Sequence, residues 1–137
     1  AITLVNGVIN DKGLSNTDDF LGFEGTDMEA VIDLGSTQKI GSVKVYTLGS
    51  PGSWIYHPRS VSVQLSRDGN AYGTGSSEVI DNEPKDHRST TVQLAENNEQ
   101  VETRYVKVQL KNFGTIPEGK PGAGNKAWLF VDEIQVN

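Results

Sequence analysis

Ser60-Val61-Ser62-Val63-Gln64-Leu65-Ser66, running into Arg67-Asp68-Gly69-Asn70, is the stretch that decides the fold. Three aliphatic side chains alternate with polar ones, the period of a strand with one buried and one wetted face. The Asp-Gly pair after it is a turn signal: Asp can hydrogen-bond its own backbone, and Gly accepts a positive φ. A hairpin is expected to begin here. The same period recurs in both directions along the chain. Ala30 to Leu34 ends at Gly35, and Ile40 to Leu48 sets Val43 and Val45 against Lys44 and Tyr46. Val106, Val108 and Leu110 alternate with Tyr105, Lys107 and Gln109, while Thr90–Leu94 and Leu129–Val136 complete the candidates. No stretch repeats apolar residues at helical spacing. Short alternating strands, with most of the 15 glycines and five prolines between them, imply an all-β antiparallel sandwich or jelly roll.

At 137 residues the chain is one domain's worth, residues 1–137, long enough to bury a core without metal or disulfide staples. Twelve basic against 18 acidic residues leave a net charge of −6. That balance argues against nucleic acid or an anionic membrane surface as partner, since both reward clustered Lys and Arg. No apolar run approaches the ~20 residues of a spanning helix, so membrane insertion is not expected, and no signal peptide is visible. Opening on Ala1 rather than Met, the chain is expected to be a segment of something longer.

The absence of cysteine excludes thiol catalysis, Cys-bound zinc and disulfides. His57 and His87 are the two histidines; His87, within Lys85-Asp86-His87-Arg88, reads as solvated loop, and no H-E-x-x-H is present. Gly122-x-Gly124 has no βαβ unit around it, and no serine sits in a nucleophile elbow. Asp132 and Glu133, adjacent in a strand, are expected on opposite faces and so cannot flank one glycosidic bond. Catalysis by this domain is not expected.

Several motifs follow one another in a characteristic order. They are Leu4-Val5-Asn6-Gly7, Ala30-Val31-Ile32-Asp33-Leu34-Gly35, Ser66-Arg67-Asp68-Gly69-Asn70, Arg104-Tyr105-Val106-Lys107-Val108 and Val131-Asp132-Glu133-Ile134-Gln135-Val136. Together they resemble the coagulation factor 5/8 type C, or discoidin-like, family, which includes family 32 carbohydrate-binding modules. Gly52-Ser53-Trp54-Ile55-Tyr56 with Pro58, and the stretch Pro121 to Ile134, look more narrowly like C-terminal modules of Bacteroides-type β-hexosaminidases, or chitobiases. The resemblance implies an eight-stranded β-sandwich jelly roll that is mostly non-catalytic and binds sugars, phospholipid heads or proteins through loops at one end. It further implies a module monomeric in isolation, appended to the catalytic domain of a bacterial extracellular or periplasmic glycoside hydrolase. The alternative is a structural or protein-docking domain of the same fold.

The resemblance also implies calcium, bound by the Leu4 carbonyl, Asn6, Asp18 and Glu133. Asn6 and Asp18-Asp19-Phe20 depart from the family's Asp and Thr-x-Trp at that site. Glu133, in phase with Leu129 and Val131, is expected on the apolar face, where a carboxylate needs a cation, an Arg or loop amides.

Three connections are longer than turns require: Asn6 to Asp27, Gly49 to Arg59, and Asn112 to Lys126. The second crowds Trp54, Tyr56, His57 and Arg59 together. A sugar presents an apolar C–H face and a ring of hydroxyls, so an aromatic platform beside planar polar groups suits it. Trp54 or Tyr56 would stack while His57, Arg59 and, from the third connection, Asn112 bind hydroxyls of galactose or an N-acetylhexosamine. The competing reading has Trp54 plugging the sandwich end and Arg59 in a surface ion pair. Trp128 reads as core.

Overall fold

The computed structural model describes residues 21–73, 75–79, 86–95 and 99–137. Eight strands form two four-stranded antiparallel sheets: β1 (Leu21–Glu24), β2 (Met28–Ile40), β3 (Ser42–Gly49), β4 (Ser60–Ser66), β5 (Ser76–Val79), β6 (Asp86–Gln93), β7 (Val101–Lys111) and β8 (Trp128–Val136). One sheet has the order β1-β8-β3-β6 and the other β2-β7-β4-β5. The fold is the expected all-β sandwich.

Alternation builds the core. Val43 and Val45 from β3, Val61 and Val63 from β4, Val106, Val108 and Leu110 from β7, and Leu129, Val131 and Ile134 from β8 meet between the sheets. Each fully buried aliphatic side chain stabilises the fold by about 1.5–3 kcal/mol relative to exposure.

Several expectations are corrected. β2 does not stop at Gly35. It continues to Ile40 across a register shift between Asp33 and Gln38, with Gly35 at φ 85 accommodating the irregularity. β1 lies inside the stretch read as a long first loop, and β5 has no sequence signature at all. His87 belongs to β6, opposite Leu48, and not to a loop. The hairpin after β4 is wider than the turn signal suggests, because pairing with β5 resumes only at Ser76. Asp68 still performs the turn chemistry: its Oδ1 accepts from the Asn70 and Ala71 amides at 2.8 and 3.0 Å and from the Ser66 hydroxyl at 3.0 Å.

A bulge in β8 matters most. Tyr46 pairs with Glu133 and Thr47 with Val131, leaving Asp132 as the extra residue. Leu129 and Val131 before the bulge and Ile134 after it face the core, so Glu133 has lost the phase expected for it. The simple in-and-out rule for Asp132 and Glu133 fails for the same reason. Both carboxylates are nevertheless buried.

The end of β3, the start of β4, the end of β7 and the start of β8 come together at one pole of the sandwich. Isolated pairings of Ser50 with Ile55, Ile55 with Trp128 and Thr115 with Lys126 stitch the two long connections there.

Candidate functional site

After β3 the chain makes a single 3-10 turn, Pro51–Ser53, with proline presetting the first helical φ. Trp54 closes the turn in the left-handed region, φ 63 and ψ 23, and its amide donates to the Pro51 carbonyl at 2.8 Å. Reciprocal Ser50–Ile55 backbone bonds of 2.9 and 3.1 Å pinch the loop shut. The indole is thereby turned outward, 40% exposed, while Ile55 through Pro58 run inward and are buried. The Trp54 carbonyl accepts from the Trp128 amide at 2.8 Å, and the Trp128 carbonyl from the Tyr56 amide at 3.0 Å, fastening the loop to β8.

The facing connection is itself tied by backbone bonds of 2.8 Å from Ile116 to Asn125, Gly124 to Ile116 and Ala127 to Gly114. It brings Gly122, at φ 83, against the Trp54 ring; a Cβ there would lie 2.5 Å from the indole Cδ1. The Gly122 backbone is the rest on which the indole lies.

Tyr56 is 4% exposed, with its ring stacked on Phe113 at 4.8 Å and 13° and its hydroxyl donating to the Pro121 carbonyl at 2.8 Å. Burial pushes its phenol upward from the usual tyrosine value. Arg59 stays exposed. Its Nε donates to the Phe113 carbonyl at 2.8 Å and its guanidinium lies 4.5 Å from the centre of the Phe113 ring. Its terminal nitrogens make no hydrogen bond to any described residue.

His57 is fully buried, with Nδ1 2.8 Å from the Thr47 hydroxyl and the ring packed over the Gly49 backbone. Asn112 is buried as a hub. Its Nδ2 donates to the Phe23, Thr26 and Ala127 carbonyls at 3.1–3.3 Å, and its Oδ1 accepts from the Gly114 amide at 2.8 Å.

The five residues expected to touch a sugar therefore divide. Trp54 and Arg59 face solvent; Tyr56, His57 and Asn112 are inside, each engaged by the protein, and support the loops. Apart from the Gly114 amide, two residues from Asn112, their hydrogen-bond partners lie 10 to 89 residues away, so spacing alone does not announce the burial. Trp128, expected in the core, is half-buried beside Leu48 and Ile55, edge-on to Phe130 at 6.0 Å. Of the calcium set, Leu4, Asn6 and Asp18 lie outside the described residues. Glu133 is 1% exposed, and its neighbour Asp132, which is not among the expected calcium donors, is 0% exposed.

The profile of the F5/8 type C domain matches residues 9–132. No curated protein matches the chain. Among solved structures, a family 32 carbohydrate-binding module of a family 31 glycoside hydrolase from Clostridium perfringens is 18% identical, with TM-score 0.60 over 98% of this chain and 82% of that one. Another family 32 module from that organism, solved with GalNAc-β-1,3-galactose, is 16% identical, with TM-score 0.57 over 91% and 78%. The C-terminal domain of a Bacteroides fragilis chitobiase is 21% identical, with TM-score 0.53 over 100% and 78%. Two of these neighbours are named as family 32 carbohydrate-binding modules, the first of them from a glycoside hydrolase.

Proposed function

The chain belongs to the F5/8 type C family, and from that premise we propose that it is a carbohydrate-binding module that holds a sugar against Trp54 and targets an appended glycoside hydrolase to glycans. The observation that carries this reading is the Trp54 indole, held out by a left-handed backbone and rested on Gly122. A large aromatic face costs less to leave bare when a C–H-rich sugar face covers it. Arg59 supplies the polar half. Nε and the Phe113 ring fix its guanidinium, leaving the terminal nitrogens to bind hydroxyls of a terminal galactose or N-acetylhexosamine. The chitobiase domain among the structural neighbours supports a β-hexosaminidase as the parent enzyme. The same kinship supports an extracellular setting, and among the described residues no helix is long and apolar enough to cross a membrane.

Calcium belongs to this proposal. The expected donors are all hard oxygens, which suit that ion. Of them, Glu133 is buried beside the equally buried Asp132, a pairing of negative charge that a cation would stabilise. The remaining donors would be Leu4, Asn6 and Asp18.

A shallow site that trades sugar–water for sugar–protein hydrogen bonds gives modest affinity, on the order of 0.1–1 mM or about −4 to −5.5 kcal/mol. Galactose, N-acetylgalactosamine and N-acetylglucosamine titrations followed by tryptophan fluorescence and amide shifts test the reading. Binding is expected to vanish in Trp54→Ala and to weaken and lose selectivity in Arg59→Ala. Binding unchanged in Trp54→Ala would refute the placement. No response to any of these sugars would favour a protein-docking role instead.

A further inference from the structure

The outer face of the β2-β7-β4-β5 sheet is hollowed. Ladder registers put Glu29, Gln109, Ser62 and Ser77 in one row across the four strands, with Lys111 and Ser60 in the row nearer the loops and Lys107 and Gln64 in the row beyond. The small serines of β4 lie low beside the longer Gln109 and Lys111 of β7, and Ser77 of β5 continues the low surface outward. A cleft of about 390 Å³ opens over Glu29, Ser60, Ser62, Gln109 and Lys111. A second, of about 210 Å³, covers Ser62, Gln64, Ser76, Ser77 and Gln109. Because Ser62 and Gln109 line both, the two form one trough.

Its chemistry is specific about what it can hold. Serine hydroxyls donate and accept. The Gln109 amide is oriented by donating from Nε2 to Glu29 at 2.9 Å, which leaves its oxygen as an acceptor. Asp27 and Glu29 are balanced by Lys107 and Lys111, with Lys107 4.0 Å from Glu29, so neither an anion nor a cation is favoured. Met28 and Leu110 at the floor are buried, and the exposed Val79 and Val31 of the same face lie at its margins without lining either cleft, so the trough itself offers a peptide no hydrophobic pocket. A neutral polyol matches donors and acceptors in this mixture.

The trough also begins where the loop site stops. Ser60 follows Arg59, Lys111 precedes Asn112, and the Arg59 amide donates to the Lys111 carbonyl at 2.8 Å. From Arg59 to Gln64 the strand carries the trough about 17 Å down the sheet. We propose that this trough takes the second and later rings of a neutral oligosaccharide whose terminal ring lies at Trp54 and Arg59, so that the ligand is a chain rather than a single sugar. The proposal rests on the reading of Trp54 and Arg59 given above.

Calorimetric titration of the full chain with N-acetylglucosamine and its β-1,4-linked dimer to pentamer, and with GalNAc and GalNAc-β-1,3-galactose, tests it. In the wild type the trimer is expected to bind about tenfold more tightly than the monosaccharide, equivalent to about 1.4 kcal/mol or one to two net hydrogen bonds. Gln109→Ala, and Ser62→Tyr as a filling variant on an outer strand position, should abolish that gain while leaving monosaccharide affinity within about twofold. An unchanged melting temperature checks that each variant is folded. Monosaccharide binding without any gain on lengthening, or a gain that survives in both variants, overturns the trough and leaves the Trp54 site standing. No binding of any of these ligands overturns both.

Discussion

Trp54 is the sole non-glycine residue with a positive φ among those described, a backbone state costing about 1–2 kcal/mol outside glycine. Backbone bonds to Pro51 and Trp128 hold it there, and Gly122 makes room for the ring. Two glycines separate these contributions. Gly122 and Gly124 have nearly the same φ, 83 and 87, but a Cβ on Gly122 would strike the indole and one on Gly124 would meet nothing within 4 Å. Alanine at either position should therefore lower the melting temperature comparably through backbone strain. Only Gly122→Ala should move the Trp54 indole N–H resonance and weaken sugar binding, by about tenfold. Equal effects of the two variants on that resonance would show that the indole does not depend on its glycine rest.

Among the elements, the β4–β5 connection is held by one carboxylate. Backbone amides and the Ser66 hydroxyl donating to Asp68 keep it below the usual carboxylate range. With the folded-state value depressed, the charged form stabilises the fold at neutral pH, and that contribution is lost as pH falls through the folded value. Asp68→Asn should thus unfold at lower urea than the wild type at pH 7, and the gap should begin to close below about pH 4. A gap constant from pH 7 into strong acid would mean the charge is not what holds the turn. Asp68 was legible in the sequence because its partners are within three residues. β4 and β7 were legible too, since each carries three inward aliphatics in alternation, and β8 was legible from its apolar content despite the break in phase between Val131 and Ile134. β1 and β5 were not: Leu-Gly-Phe-Glu and Ser-Ser-Glu-Val are four residues each, too short to show a period, and exist because a long neighbour offers its edge. The β8 bulge left no mark either, so Glu133 was assigned to the wrong phase. At the site, Trp54 and Arg59 were readable as types suited to sugar. The burial of Tyr56, His57 and Asn112 depends on partners up to 89 residues away, which spacing alone cannot reveal.

At the scale of the whole molecule, the proposed calcium would join the chain's beginning to its last strand. Chelation is then expected to lower the melting temperature of the wild type by several degrees, while Glu133→Ala melts lower and ignores both EDTA and added calcium. A wild type indifferent to either treatment removes the metal. The last strand also gives the domain a direction. β8 starts at the loop pole with Trp128 and, nine residues on, reaches the opposite one, about 30 Å away. There Asn137 donates to the Ser42 carbonyl at 2.9 Å and accepts from the Gly41 amide at 2.6 Å, so the chain end is clasped by the sheet. A domain coupled to a bead or sensor chip through Asn137 would be held by the pole opposite Trp54, with the indole pointing into the liquid.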